Sequence, residues 1–418
     1  MTTRQVEVED WTFADADTEY FTHGLHPYPA RMIPQVARKL IERYSAPKAT
    51  VLDYFCGSGT VLVESRLRGR NCIGIDLNPL AHLISEAKLT EIEPDKLQHA
   101  WVELNPKITH DITKLRFGEQ DIEPLQIPEI NEDFWFKKNV QKELTVIRTH
   151  LDRMKETDDT LWRFFAVCYS NTVKKASNNR PDEFKIYRLP KEKLVKHKPD
   201  TLGIFRELTE RNIARMIGYF NAVDKTTTHR VLLEDSRHSS LTDGSVDLIV
   251  TSPPYGDSHT TVAYGQFSRF SALWIGLPPE KVLKVDKESL GGRRRPSVDL
   301  PSDTFKQTLN AIRRNSNKRA DEALWFFIDL YDCLKEAYRV IRPGGYGCYV
   351  IGNRTVRRIK VPSDMITAEL GEAAGFKHLT TYYRKIPTKR MPWVNAPENI
   401  AGKTVATMAD EGIVILAH

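Results

Sequence analysis

Residues 50–60 read Thr-Val-Leu-Asp-Tyr-Phe-Cys-Gly-Ser-Gly-Thr. A short apolar run ends at Asp53, two glycines follow one residue apart, and Val61, Leu62, Ser65 and Arg66 continue as a helical segment. The pattern is strand, tight turn, helix. Gly57 and Gly59 suit a turn on which a ligand lies close to the backbone, because glycine adopts left-handed angles at little steric cost and has no side chain to block approach. A second strand, Asn71-Cys-Ile-Gly-Ile-Asp76, ends in an acid. In such a unit that acid is placed to accept hydrogen bonds from two ribose hydroxyls, so Asp76 is the candidate ribose ligand. No Gly-Lys-Ser/Thr follows the glycines, which excludes a P-loop, and Leu62 replaces the third glycine of a dinucleotide fingerprint. An adenosine without a pyrophosphate fits better.

Upstream, His23-Gly-Leu-His26-Pro-Tyr28-Pro-Ala-Arg31-Met32 leads into apolar positions of a helix at Ile33, Val36, Ala37, Leu40, Ile41 and Tyr44. The two histidines are as well suited to satisfying backbone groups as to touching a ligand. Downstream, Leu80, Leu83, Ile84 and Ala87 close a βαβα unit near residue 89. The pattern then breaks. Residues 91–228 hold no second glycine-rich turn and show helical stretches at 140–154, 161–175 and 202–223, as expected of a helical insertion. Within it, residues 174–198 contain nine Lys/Arg against three Asp/Glu, with Phe184 and Tyr187 interleaved. Such a stretch suits a nucleic-acid backbone and exposed bases, or else a solvated lysine-rich loop.

The strand pattern resumes at 230–236, with Asp235 at its end. A second apolar run, 246–250, stops abruptly at Thr251-Ser-Pro-Pro-Tyr255-Gly-Asp257. Pro253 and Pro254 lack N–H groups and hold φ near about −65°, so the Ser252 hydroxyl, the proline carbonyls and the Tyr255 ring are presented in a fixed constellation. That constellation suits a planar ligand bearing an amine; an ordinary strand followed by a Pro-Pro turn has the same residues, and the neighbouring motifs decide between them. A long irregular region is expected to about residue 320, with basic clusters at 293–295 and 313–314. An amphipathic helix follows at 323–339, then a strand at 346–351, a helix at 364–374, and closing strands at 378–384 and 412–416.

Composition narrows the class modestly. The formal charge of +6, from 61 basic and 55 acidic residues, is compatible with a polyanionic partner. The five cysteines are widely spaced with no Cys-x-x-Cys pair, so reduced thiols and no metal are expected. The first residues lack an apolar signal core, and no run approaches the ~18 apolar residues of a membrane span. A soluble, cytoplasmic protein with no membrane partner is expected.

Taken together, these motifs resemble the S-adenosylmethionine-dependent amino-methyltransferases of bacterial DNA. His26-Pro-Tyr-Pro-Ala-Arg-Met before a helix is similar to the family's cofactor-carboxylate motif, Asp53 to Thr60 to its glycine-rich turn, and Ile73-Gly-Ile-Asp76-Leu-Asn78-Pro79 to its ribose strand. Thr251-Ser-Pro-Pro-Tyr255 is similar to its catalytic tetrad, in the form associated with N4-cytosine rather than N6-adenine methylation. The resemblance implies a Rossmann-like α/β fold with a mostly parallel seven-stranded sheet and a largely helical insertion. Residues 1–90 and 229–418 would form the catalytic domain. The recognition region would be 91–228, although this motif order places it after the Asp235 strand, so the basic loop region 278–322 competes.

The same resemblance implies S-adenosylmethionine as cofactor. Tyr28, Arg31, Phe55, Gly57, Gly59 and Thr60 would hold its methionine part, Asp76 its ribose and Asp235 its adenine amino group, with Asp53 and Thr251 in the same site. Ser252, Pro253, Pro254 and Tyr255 would be catalytic. The substrate would be double-stranded DNA with a flipped target base, and a cognate restriction endonuclease would be the companion. Two other functions compete: methylation of adenine N6 in DNA or guanine N2 in RNA, and a silent nucleic-acid-binding subunit that keeps the cofactor pocket.

Overall fold

The structure is a computed structural model and describes residues 10–181, 185–257, 261–386, 394–395, 405–406 and 410–418. Seven strands form one sheet: β1 Thr50–Asp53, β2 Asn71–Ile75, β3 His229–Leu232, β4 Val246–Thr251, β5 Ile341–Gly352, β6 Lys377–Lys385 and β7 Asp410–Ala417. Their spatial order is β3-β2-β1-β4-β5-β7-β6. The first five are parallel; β7 inserts antiparallel between β5 and β6. This is the mostly parallel seven-stranded sheet expected.

The central strands read as apolar runs because both faces of the sheet are covered. Along β1 and β4, Val51, Leu248 and Val250 pack on one side with helix α1 (Pro34–Tyr44) and Trp11. Leu52, Val246 and Ile249 pack on the other, with Phe327, Leu330 and Leu334. Helices α2 (Thr60–Leu67) and α3 (Pro79–Leu89) complete the first unit, and Asn78 caps α3 by accepting the Leu80 N–H at 3.1 Å.

The insertion is built on α4 (Pro94–Phe117), α5 (Lys138–Thr157), α6 (Asp159–Ala176) and α7 (Thr201–Ala222). The apolar positions Leu97, Trp101, Leu104, Ile108 and Ile112 carry α4 at helical spacing; Pro106 sits inside it and masked the pattern in the sequence. Helix α6 is buried nearly all round, against α3, α5, α7 and α8 (Tyr264–Ile275). Its Phe164 and Phe165 belong to one apolar cluster with Leu62 and Ile84 of the first unit and Trp274 of α8.

Two expectations need correction. The strand expected at 230–236 spans only His229–Leu232, so Asp235 stands in the following turn. The region 278–322 is largely helical rather than an irregular basic loop: one-turn helices at Pro279–Val282 and Val285–Glu288 precede α9 (Asp303–Asn315) and α10 (Asn317–Val340). Ser302 caps α9 by accepting the Phe305 N–H at 3.0 Å, Asp303 complements its N-terminus, and Phe305, Thr308 and Ile312 bury one face. All five cysteines are buried and free, and among the described residues no helix is long and apolar enough to cross a membrane.

Candidate active site

Strand order reverses between β1 and β4, which lie side by side with Leu52 opposite Ile249. In an open parallel sheet, ligands bind at the carboxyl ends of strands at such a switch point. The turns after Asp53 and Thr251 both emerge there. They border a cleft of about 870 Å³, open mouth included, lined by Tyr28, Arg31, Asp53, Phe55, Gly57, Thr60, Asp76, Asp235, Ser252 and Pro254 among others. Of the residues singled out in the sequence, Gly59, Thr251, Pro253 and Tyr255 do not line it.

Gly57 turns at φ 49°, and a Cβ there would come within 3.1 Å of the Tyr28 ring. Its N–H donates to Asp76 Oδ2 at 2.9 Å, while the Asn78 N–H donates to Oδ1 at 2.8 Å. Each Asp76 oxygen thus takes one backbone donor and keeps a second lone pair. Burial pushes the Asp76 carboxyl up to about 6. Asp53 Oδ1 accepts the Thr251 hydroxyl at 2.7 Å and the Phe55 N–H at 3.1 Å, and burial pushes this carboxyl up to about 7. Thr251 therefore braces Asp53 and ties the two strand ends together. Gly59, at φ 78°, is needed for packing: a Cβ would lie 2.9 Å from Ser85 Oγ and 3.3 Å from its Cα.

The Tyr28 hydroxyl accepts Asn78 Nδ2 at 3.1 Å, and its ring stacks on Tyr264 at 6.0 Å. Arg31 donates to the His23 carbonyl and to Glu19, both at 2.6 Å. Asp235 is engaged by Arg237, which forks onto its carboxylate at 2.9 and 2.6 Å; burial would raise this acid, but the fork holds it below its usual range. His23 pairs with buried Glu64 at 2.9 Å and His26 with Ser170 at 2.9 Å, and neither lines the cleft.

In the Pro-Pro turn, the Tyr255 hydroxyl donates to Glu411 Oε1 at 2.6 Å. Glu411 in turn pairs with Arg384, whose Nε donates to the Trp11 carbonyl at 3.0 Å. Arg354 lies beneath Gly256, where a Cβ would overlap its guanidinium, and pairs with buried Asp257 at 3.2 Å. Ser258, His259 and Thr260, which continue the motif, lie outside the described residues, as does Phe184.

Three residues of the cleft escaped the sequence reading. The Ser58 hydroxyl is buried, lines the cleft, and has no hydrogen-bond partner among the described residues. Its place between two glycines was the available signal. Asn78, which fixes both Asp76 and Tyr28, stood in the ribose-strand motif with no role of its own, and Tyr264 is distant in sequence.

The family of N6/N4 methyltransferases, described as DNA methylase, matches residues 5–87. The type II methyltransferase M.MvaI of Kocuria varians is 38% identical, over 97% of this chain and 93% of its own. The type II methyltransferase M.BsoBI of Geobacillus stearothermophilus is 22% identical over 87% of this chain and 80% of its own. A shorter match, 36% identical over 21% of this chain and 18% of the relative, is to the type II methyltransferase M.MjaII of Methanocaldococcus jannaschii.

Proposed function

This chain belongs to the type II DNA methyltransferases, and we propose that within that family it methylates the exocyclic N4 amine of cytosine at a specific DNA sequence. The methyl donor is S-adenosylmethionine. The cleft fits this group on two counts: the orphaned Ser58 hydroxyl asks for a polar ligand, and Asp76 keeps one lone pair per oxygen for a pair of ribose hydroxyls. Tyr28, Arg31, Phe55, Gly57, Ser58 and Thr60 would hold the methionine part, and Asp235 the adenine amino group. Gly59, Asp53 and Thr251 would shape the turn around them. Bound there, the cofactor supplies an electrophilic methyl group.

The chain's own residues act on the acceptor. An aromatic amine is a poor nucleophile because its lone pair is delocalised into the ring. When the Ser252 hydroxyl oxygen and the Pro253 carbonyl accept hydrogen bonds from its two N–H groups, the nitrogen turns toward tetrahedral geometry and the lone pair is freed; the one proton lost on methylation leaves to solvent. Tyr255, its hydroxyl anchored on Glu411, offers a ring face to the base, which must leave the duplex to reach the pocket. Serine cannot hold a proton at neutral pH, so catalysis rests on orientation and fixed dipoles rather than on a strong base.

The observation that carries this reading is that Ser252 and Pro254 open into the same cleft as Ser58 and Asp76. Serine at the first tetrad position is what favours cytosine. Mass spectrometry of digested DNA from cells producing the protein is expected to show N4-methylcytosine. N6-methyladenine in its place would overturn the base assignment, and cofactor binding with no methylated DNA would favour guanine-N2 methylation of RNA or the silent-subunit reading. In the type II setting a restriction endonuclease of the same recognition sequence is the expected companion.

A further inference from the structure

A second groove adjoins the cleft. It encloses about 1220 Å³, open mouth included, and Tyr28 lines both spaces. Its far wall is the end of α6 and the chain beyond it, which bring Lys174, Lys175, Arg180, Lys193 and Lys196 to one concavity. Lys174 lies over the Phe267 ring at 3.6 Å. Lys175, Arg180, Lys193 and Lys196 are exposed, and among the described residues none of these four has a carboxylate within ion-pair range. Of the three acids in this stretch, Glu192 does not line the groove, and Asp182 and Glu183 lie outside the described residues. Exposed aromatic rings stand nearby: Arg180 lies over Tyr187 at 5.8 Å and Arg188 over Phe134 at 3.9 Å.

Like charges gathered in a concave wall repel one another and focus a positive field, which an extended polyanion relieves. The basic clusters of 278–322 differ. Arg293 pairs with Glu288, Arg295 with Asp329 and Asp332, and Arg313 with Asp321, so most of that charge is already spent within the fold.

The geometry points to this groove as the seat of the DNA backbone beside the target nucleotide, with phosphodiester groups against Lys175, Arg180, Lys193 and Lys196. It rests on the reading that the substrate is DNA, and it assigns the backbone grip to the helical insertion rather than to 278–322. Phosphate contacts are sequence-independent, so the test needs no knowledge of the recognition sequence.

The measurement is equilibrium binding of the full chain to a duplex of arbitrary sequence across about 50 to 200 mM salt. Each phosphate contact contributes about 0.9 to the slope of log affinity against log salt. The variant carrying Lys175→Gln, Arg180→Gln, Lys193→Gln and Lys196→Gln is expected to lose roughly 3 to 4 of that slope. Its affinity for S-adenosylmethionine should be unchanged, which also reports that it is folded. Should it fail to fold, Lys193→Gln and Lys196→Gln alone are each expected to lower the slope by about one. A comparison variant with Arg293→Gln, Arg294→Gln and Arg314→Gln should keep the wild-type slope. A wild-type slope in the groove variants, or a loss confined to the comparison variant, overturns the inference. If the groove variants lose slope while the wild type methylates no DNA, the groove stands and the functional reading falls. N4-methylcytosine made by a protein whose groove variants bind normally means the reverse.

Discussion

Lowering the pH should weaken cofactor binding through Asp76. Burial raises this carboxyl to about 6, and its two oxygens already take the Gly57 and Asn78 N–H groups. A ribose presenting two hydroxyl donors needs the ionised form, since protonation converts one acceptor into a donor. Binding that selects the ionised form loses about tenfold in affinity for each pH unit below the free-protein value. Near pH 5 the affinity should therefore be about one tenth of its plateau above pH 7, and binding there should release close to one proton. Asp76→Asn should flatten this profile and weaken binding at pH 8 by roughly 10- to 100-fold, the worth of one hydrogen bond to a charged group. Titration calorimetry with S-adenosylmethionine at several pH values, in two buffers of different ionisation enthalpy, gives both affinity and proton count. An affinity independent of pH in the wild type, or the same pH slope in Asp76→Asn, would refute the role given to this carboxylate.

Three further outcomes are expected. Ser252→Ala should lower methyl transfer at least ~100-fold, the scale of a lost oriented polar group, while leaving cofactor affinity intact; unchanged turnover would remove Ser252 from the mechanism. Asp53 works in the other direction on stability. Its raised carboxyl favours the folded state fully at pH values below the ordinary carboxylate range, and that contribution disappears as pH rises through about 7. Asp53→Asn should thus abolish a destabilisation of about 4 kcal/mol at pH 8 in the ligand-free protein, seen as a higher urea midpoint than wild type; a lower midpoint would contradict it. Gly59→Ala combines a left-handed backbone penalty with a Cβ 2.9 Å from Ser85 Oγ, for roughly 2 to 4 kcal/mol of lost stability, and an unchanged thermal midpoint would argue against that packing.

The seven-stranded sheet was legible because buried parallel strands leave apolar runs, such as Leu248–Val250 within β4, and because Asp53 and Asp76 stand at strand ends in ligand-binding positions. The less legible parts depended on contacts remote in sequence. Nothing in the Tyr255 context announces Glu411, 156 residues away, and Thr251 read as part of a motif until its bond to Asp53 showed it bracing a strand end. Helix α4 was hidden by Pro106, a residue that ordinarily breaks helices. Helix α9 was missed for a weaker reason, since the cap at Ser302 and the spacing of Phe305, Thr308 and Ile312 stood in the chain, obscured by the arginines around them.

The apolar cluster that unites Phe164 and Phe165 of α6 with Leu62, Ile84 and Trp274 also constrains how this enzyme can be re-engineered. A helical segment inserted between two strands invites exchange between relatives as a specificity cassette. Here the seam of such a graft would run through close-packed aromatic side chains, and truncating a buried Phe costs about 3 to 5 kcal/mol. A chimera cut at residues 91 and 228 would bring a foreign face against α3 and α8. One that also transfers α3 and α8 carries those packing partners with it.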